Sequence, residues 1–181
     1  MKRAIILSLL LPALALPAFG ASAKKVRKKI DAGSKAALER LFEESPEARS
    51  LFDEAVAYAT FDGTEAALLI SSGGGKGVAV DKASGKRVYM RVVSAGVGIG
   101  LGFQATQTVF LFEDKETFES FVETGWDADA SGSAAAGQEG INAKSSFTDG
   151  MMLYQMTKKG LIAQASVKGT KYWKDEKLNK H

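Results

Sequence analysis

The sequence predicts an α+β domain, with N-terminal helices packed on a mainly antiparallel, curved sheet or barrel-like β body and one further helix. Three observations carry this expectation. Apolar residues recur at helical spacing between Lys24 and Phe42. From Ala66 onward, β-type runs alternate with turn residues. A helical pattern then returns once, over 115–123. A chain of 181 residues, 45% of them hydrophobic, can bury one core of its own and is short for two. A single domain over 24–181 is therefore expected.

The first 23 residues stand outside that domain. MKRAIILSLLLPALALPAFGASA has a basic start, an apolar run broken by Pro12 and Pro17, and a small-residue ending at Ala21-Ser22-Ala23. The run from Ala4 to Phe19 falls short of the roughly 20 residues that span a bilayer. Residues 1–23 thus read as a signal peptide, which implies a periplasmic or secreted protein, peripheral on the membrane if it touches one. The following KKVRKKI carries five basic residues, and such flanking charge resists translocation. With no cysteine anywhere, neither a lipid-modified N-terminus nor a disulfide is available.

The basic segment 24–42 is amphipathic, with Val26, Ile30, Ala37, Leu38, Leu41 and Phe42 on one side and most of its cations elsewhere. Gly33 and Ser34 are expected to interrupt it, leaving the first part as a separate arm. Ser45-Pro46-Glu47 reads as cap, first helical position and dipole-compatible acid, opening a second helix through Leu51, Phe52, Ala55, Val56 and Tyr58. The runs AALLI, GVAV, RVYMRVV and TVFLF predict strands, with 81–85 as turn material. Phe118, Phe121 and Val122 give the segment from Lys115 to Glu123 a helical stripe that Trp126 closes after Gly125. MMLYQM and LIAQASV predict two last strands joined at Lys158-Lys159-Gly160.

Within GVGIGLGF, glycine occupies every second position, at Gly96, Gly98, Gly100 and Gly102. In a strand this leaves one apolar face and one bare face, the signature of sheet curvature or of close approach by a neighbour. A dinucleotide loop is excluded, because G-x-G-x-x-G counted from Gly96 or Gly98 places Leu101 or Phe103 at the last glycine. A phosphate loop is excluded at GGGKG, where Gly77 follows Lys76 instead of Ser or Thr. Lys76 is expected in a mobile turn.

Catalysis lacks its usual parts. His181 is the sole histidine and there is no thiol, so Ser-His and Cys-His arrangements and zinc sites of the common kind are absent. Asp127-Ala128-Asp129-Ala130-Ser131-Gly132 matches half of a calcium loop, but Gln138 stands where the bidentate Glu belongs. A polar turn is the expectation there, with no metal and no cofactor. Removing Lys2 and Arg3 with the leader lowers the formal charge from +3 to about +1, too little for a nucleic-acid partner.

Three segments together resemble the SYLF domain family: GGGKGVAVDKASGKRVYMRVVSAGVGIGLGFQ, TVFLFEDKETFESFVETGW and KGTKYWKDEKLN. Many members carry a Trp-Ser-Pro-like segment before the glycine strand, and Val88-Tyr89-Met90-Arg91 occupies that place here. The resemblance implies a lipid-binding module. Its eukaryotic members bind phosphoinositides and actin, but an exported bacterial protein would meet no actin. The expected function is non-enzymatic binding of anionic phospholipid in the bacterial envelope. Lys24, Lys25, Arg27, Lys28 and Lys29 would meet the charged surface, while Val26 and Ile30 would add a small apolar insertion. The alternative is a scaffolding envelope protein whose N-terminal arm docks a protein partner.

Overall fold

The structure, a computed structural model, describes residues 18–127, 147, 149–157, 160–163 and 169–180. Its elements run α1 (Ala18–Glu44), α2 (Pro46–Glu54), β1 (Ala57–Asp81), β2 (Arg87–Phe112), α3 (Lys115–Glu123), β3 (Trp126–Asp127), β4 (Met151–Thr157), β5 (Gly160–Ala163), β6 (Thr170–Lys174) and α4 (Glu176–Asn179). The fold is α+β, with helices against a curled antiparallel sheet of six described strands, as the sequence predicts.

α1 differs from the expectation, because it passes through Gly33 and Ser34 without a break. Tertiary packing overrides the local cost of glycine, about 1 kcal/mol in a helix interior. Ser34 is buried, and a side chain at Gly33 would collide with the Asp62 carboxylate, so the glycine lets the helix lie close to β1. α1 also runs across Ala21-Ser22-Ala23, while residues 1–17 of the expected leader lie outside the described residues. Among the described residues, no helix is long and apolar enough to cross a membrane.

α2 begins as its sequence dictates, with the Ser45 hydroxyl accepting from the Ala48 backbone N–H at 3.1 Å and Pro46 at the first turn. It stops at Glu54, four residues before Tyr58, which belongs to a strand. Lys82 closes it: the ammonium donates to the carbonyls of Phe52 (2.6 Å), Asp53 (3.2 Å) and Ala55 (2.7 Å), which the helix end leaves unpaired.

The four short strands expected between Ala66 and Phe112 are two long ones. β1 and β2 form a single hairpin that pairs from Ala57 with Phe112 to Val80 with Arg87. β2 then pairs β6 along Met90–Ser94 and β4 along Gln107–Phe112. The pairing slips once, between Leu68/Leu101 and Ile70/Val97, leaving Leu69 opposite Gly98, Ile99 and Gly100. Gly96 and Gly102 flank this irregularity opposite Ser71 and Ala67. Curling brings the two halves of β1 together. A side chain at Gly75 would strike the Asp62 carbonyl, and one at Gly77 the Thr60 carbonyl and the Phe61 ring.

Side chains alternate between two cores along β2. Val109 and Leu111 join the α1/α2 side, with Leu41, Ala48 and Leu51, whereas Phe110 and Phe112 join the α3 side, with Phe118 and Phe121. A run buried on both faces must be apolar throughout, which is why TVFLF shows no alternation. α3 occupies its expected span, capped by Asp114, whose carboxylate accepts from the Thr117 N–H at 2.8 Å. β4 matches the MMLYQM expectation. Thr157 pairs with Gly160 at the expected hairpin, whose Lys158 and Lys159 lie outside the described residues.

Candidate functional site

The seven residues singled out for lipid contact divide between two faces of α1. Lys24, Lys25, Lys28 and Lys29 are exposed. Ile30 is buried in a third core cluster with Val78, Val80, Tyr89 and Leu178, and Val26 packs against the same cluster. The apolar pair expected to enter a bilayer is therefore directed into the protein. This follows from the sheet below: Val78 and Val80 present an apolar surface that the inner stripe of α1 covers.

The same face of α1 is fixed by a polar contact. The Asp31 carboxylate accepts from Arg87 Nη1 at 2.8 Å and from the Tyr89 hydroxyl at 3.1 Å. The Arg87 guanidinium is raised above its ordinary range by that hydrogen bond, and burial, reinforced by Asp31, raises the Tyr89 phenol. Arg87 and Asp31 remain partly exposed, so solvent screens the pair and its contribution is modest. Arg27 lies over the Tyr89 ring at 6.0 Å.

Beside this contact, α1, the hairpin and α4 enclose a cleft of about 740 Å³. Ala23, Val26 and Leu178 provide its apolar lining. Five cations surround it: Arg27, Lys76, Arg91, Lys177 and Lys180. Lys76 is not in a mobile turn. It sits in β1 directly opposite Arg91 of β2, so the two like charges share one face of the sheet. Asp175 is the one acid of the lining, and its carboxylate is already engaged. It accepts from the backbone N–H groups of Lys177 (3.0 Å) and Leu178 (3.2 Å) and stands 3.9 Å from Arg91 Nε. Arg91 also lies 5.8 Å from the Trp173 ring centre.

α4 is held against the hairpin by Asn179, whose amide oxygen accepts from the Tyr89 N–H (2.9 Å) while its nitrogen donates to the Tyr89 carbonyl (2.7 Å). Sequence reasoning found Arg27 and Val26 but missed Lys76, Arg91, Lys177 and Lys180 as parts of one site. Register between strands, which brings Lys76 to Arg91, is the signal that was needed. The half-calcium loop is represented only by Asp127, 3.9 Å from Lys171, since residues 128–146 lie outside the described residues. No cluster of three or more His, Cys, Asp or Glu suited to a metal occurs among the described residues.

A family model described as "Ysc84: Las17-binding protein actin regulator" matches residues 93–181. Residues 93–181 are thus similar to this family, the SYLF family. The match covers most of β2 and everything after it, and so includes Lys177 and Lys180 but neither α1 nor Lys76. The chain is also 41% identical over 157 residues to beta cell expansion factor A of Aeromonas veronii. That alignment takes in 87% of this chain and 60% of the relative, so the chain spans less than two thirds of the relative's length. The matched segment thus contributes Asp175 and α4 to the cleft, and α1, Lys76 of β1 and Arg91 of β2 complete it.

Proposed function

We propose that the protein binds anionic phospholipid at a membrane surface without chemical turnover, and that it does so in the bacterial envelope after loss of residues 1–23. The observation that carries this reading is the division of α1. Its lysines face outward while its apolar stripe is held in the protein, which leaves a charged, rigid surface beside a cation-rich cleft. The match of residues 93–181 to the SYLF family, known for lipid and actin binding in eukaryotes, supports the lipid class.

The mechanism is attraction without deep insertion. Each lysine near an anionic leaflet contributes up to about 1 kcal/mol, so Lys24, Lys25, Lys28 and Lys29 together give roughly 4 kcal/mol, a millimolar-range affinity when acting alone. Such binding is reversible and screened by salt.

Sedimentation with phosphatidylglycerol vesicles tests it, using protein recovered from cells. Binding is expected to anionic but not phosphatidylcholine vesicles, to fall between low and high salt, and to disappear when Lys24, Lys25, Arg27, Lys28 and Lys29 are replaced by Gln. Equal binding by the replaced protein would eliminate this surface as the lipid contact and leave docking of a protein partner as the role of the helix.

A further inference from the structure

We infer that the cleft between α1, the hairpin and α4 is a pocket for a single phosphomonoester lipid, its phosphate between Lys76 and Arg91 and its first acyl segment over Val26 and Leu178. This deepens the phospholipid reading above and rests on it for the ligand class, but it uses different side chains.

Three observations lead here. Lys76 and Arg91 face one another in register, with Cβ atoms about 5 Å apart in such pairs, an arrangement that is unfavourable for like charges. A dianion placed between them removes that repulsion and takes a charge-assisted hydrogen bond from each. Second, compensation from within the protein is small. Lys76, Lys177, Lys180 and Arg27 make no ion pair among the described residues, and Asp175 is already engaged by two backbone N–H groups. Third, the cations ring an apolar lining that keeps Val26 and Leu178 once residues 1–23 are lost. Free phosphate would leave that lining bare, whereas a chain carrying phosphate covers it. With Ser22 and Ala23 in its lining the cleft is about 740 Å³, within the range of pockets that take a headgroup and the start of a chain.

The orientation of Arg91 favours phosphate over a diffuse negative surface. Its guanidinium lies near both the Trp173 ring and the Asp175 carboxylate, which narrow its range before the anion arrives. Lys76, exposed on the same face, supplies the second charge.

Calorimetric titration with dihexanoyl phosphatidic acid, below its micelle concentration, tests the inference on the protein recovered from cells. Saturable binding is expected. K76Q and R91Q should each weaken it at least about tenfold, the scale of one charge-assisted hydrogen bond, and K76R should restore most of it. Inorganic phosphate should bind at least about tenfold more weakly than the lipid, and dihexanoyl phosphatidylcholine should not compete. K76Q has a second signature, because removing one of two facing charges should leave the unliganded protein as stable as before or more so. A structural lysine would behave in the opposite way. Unchanged lipid affinity in both K76Q and R91Q, or equal affinity for phosphate and lipid, overturns the inference. The four exposed lysines of α1 provide the separation from the surface reading. Replacing them should abolish vesicle sedimentation but spare the short-chain titration, so each reading fails on its own measurement.

Discussion

Substituting Gly77 by Ala tests the curled hairpin directly. Gly77 is buried and its backbone lies in a region open to any L-residue, so the whole effect of a methyl group comes from what it meets. It meets the Thr60 carbonyl, which is backbone within a paired strand, and the Phe61 ring. Phe61 is only 1% exposed and its ring centre lies 4.6 Å from that of Tyr172 and 5.9 Å from that of Phe110. Neither neighbour can give without disturbing the α3 core. Overpacking of this kind costs about 1–3 kcal/mol, and contact with backbone places Gly77→Ala at the upper end. At about 2–4 °C per kcal/mol for a domain of this size, Tm should fall by roughly 6–12 °C. Gly74→Ala is the control three residues away, since a methyl there would find only the Val92 carbonyl at 3.5 Å, an ordinary contact. It should leave Tm level or raise it slightly, by limiting the unfolded chain. Calorimetry on the two variants decides the matter. If they melt within about 2 °C of each other, the two halves of β1 do not approach as described, and the glycines of GGGKG need another explanation.

Two further outcomes are expected. Ser45→Ala removes the acceptor for the Ala48 N–H at the start of α2 and should cost about 1 kcal/mol by denaturant titration, with an unchanged m-value. Asp114 caps α3, and hydrogen bonding from the Thr117 backbone and hydroxyl holds its carboxyl below the usual carboxylate range. A depressed folded value contributes stability above the unfolded value, near about 3.9, that is lost as pH falls through the folded one. Asp114→Ala should therefore melt below the wild type at neutral pH, with the gap shrinking under acid conditions. A gap constant from pH 7 to pH 2 would assign the loss to packing instead.

Local signals made much of the fold legible. Ser45-Pro46-Glu47 marks the start of α2, the apolar stripe of Phe118, Phe121 and Val122 marks α3, and MMLYQM marks β4. The beginning of β1 was hidden because Ala57 and Ala59, both buried, carry too little apolar bulk to show alternation over AYATF. The sequence predicts a break at Gly33 and Ser34 that does not occur, since the close approach of Gly33 to Asp62 and the burial of Ser34 are tertiary facts. β6 and α4 were recognisable only as part of a resemblance. The candidate site was half visible: a cluster of cations at 24–29 is evident in one dimension, whereas Lys76 and Arg91 become neighbours only once strand register is known. Val26 and Ile30 show the limit of periodicity, which identifies an apolar stripe without saying whether lipid or protein covers it.

The clasp between Asn179 and the Tyr89 backbone joins residues 90 positions apart, whereas the hairpin closes through a short local turn. Closing so long a loop carries a larger entropic cost and comes late in folding. The hairpin can zip from its turn while the cationic cleft still lacks a wall, so capacity for ligand and regular strand content should emerge at different times.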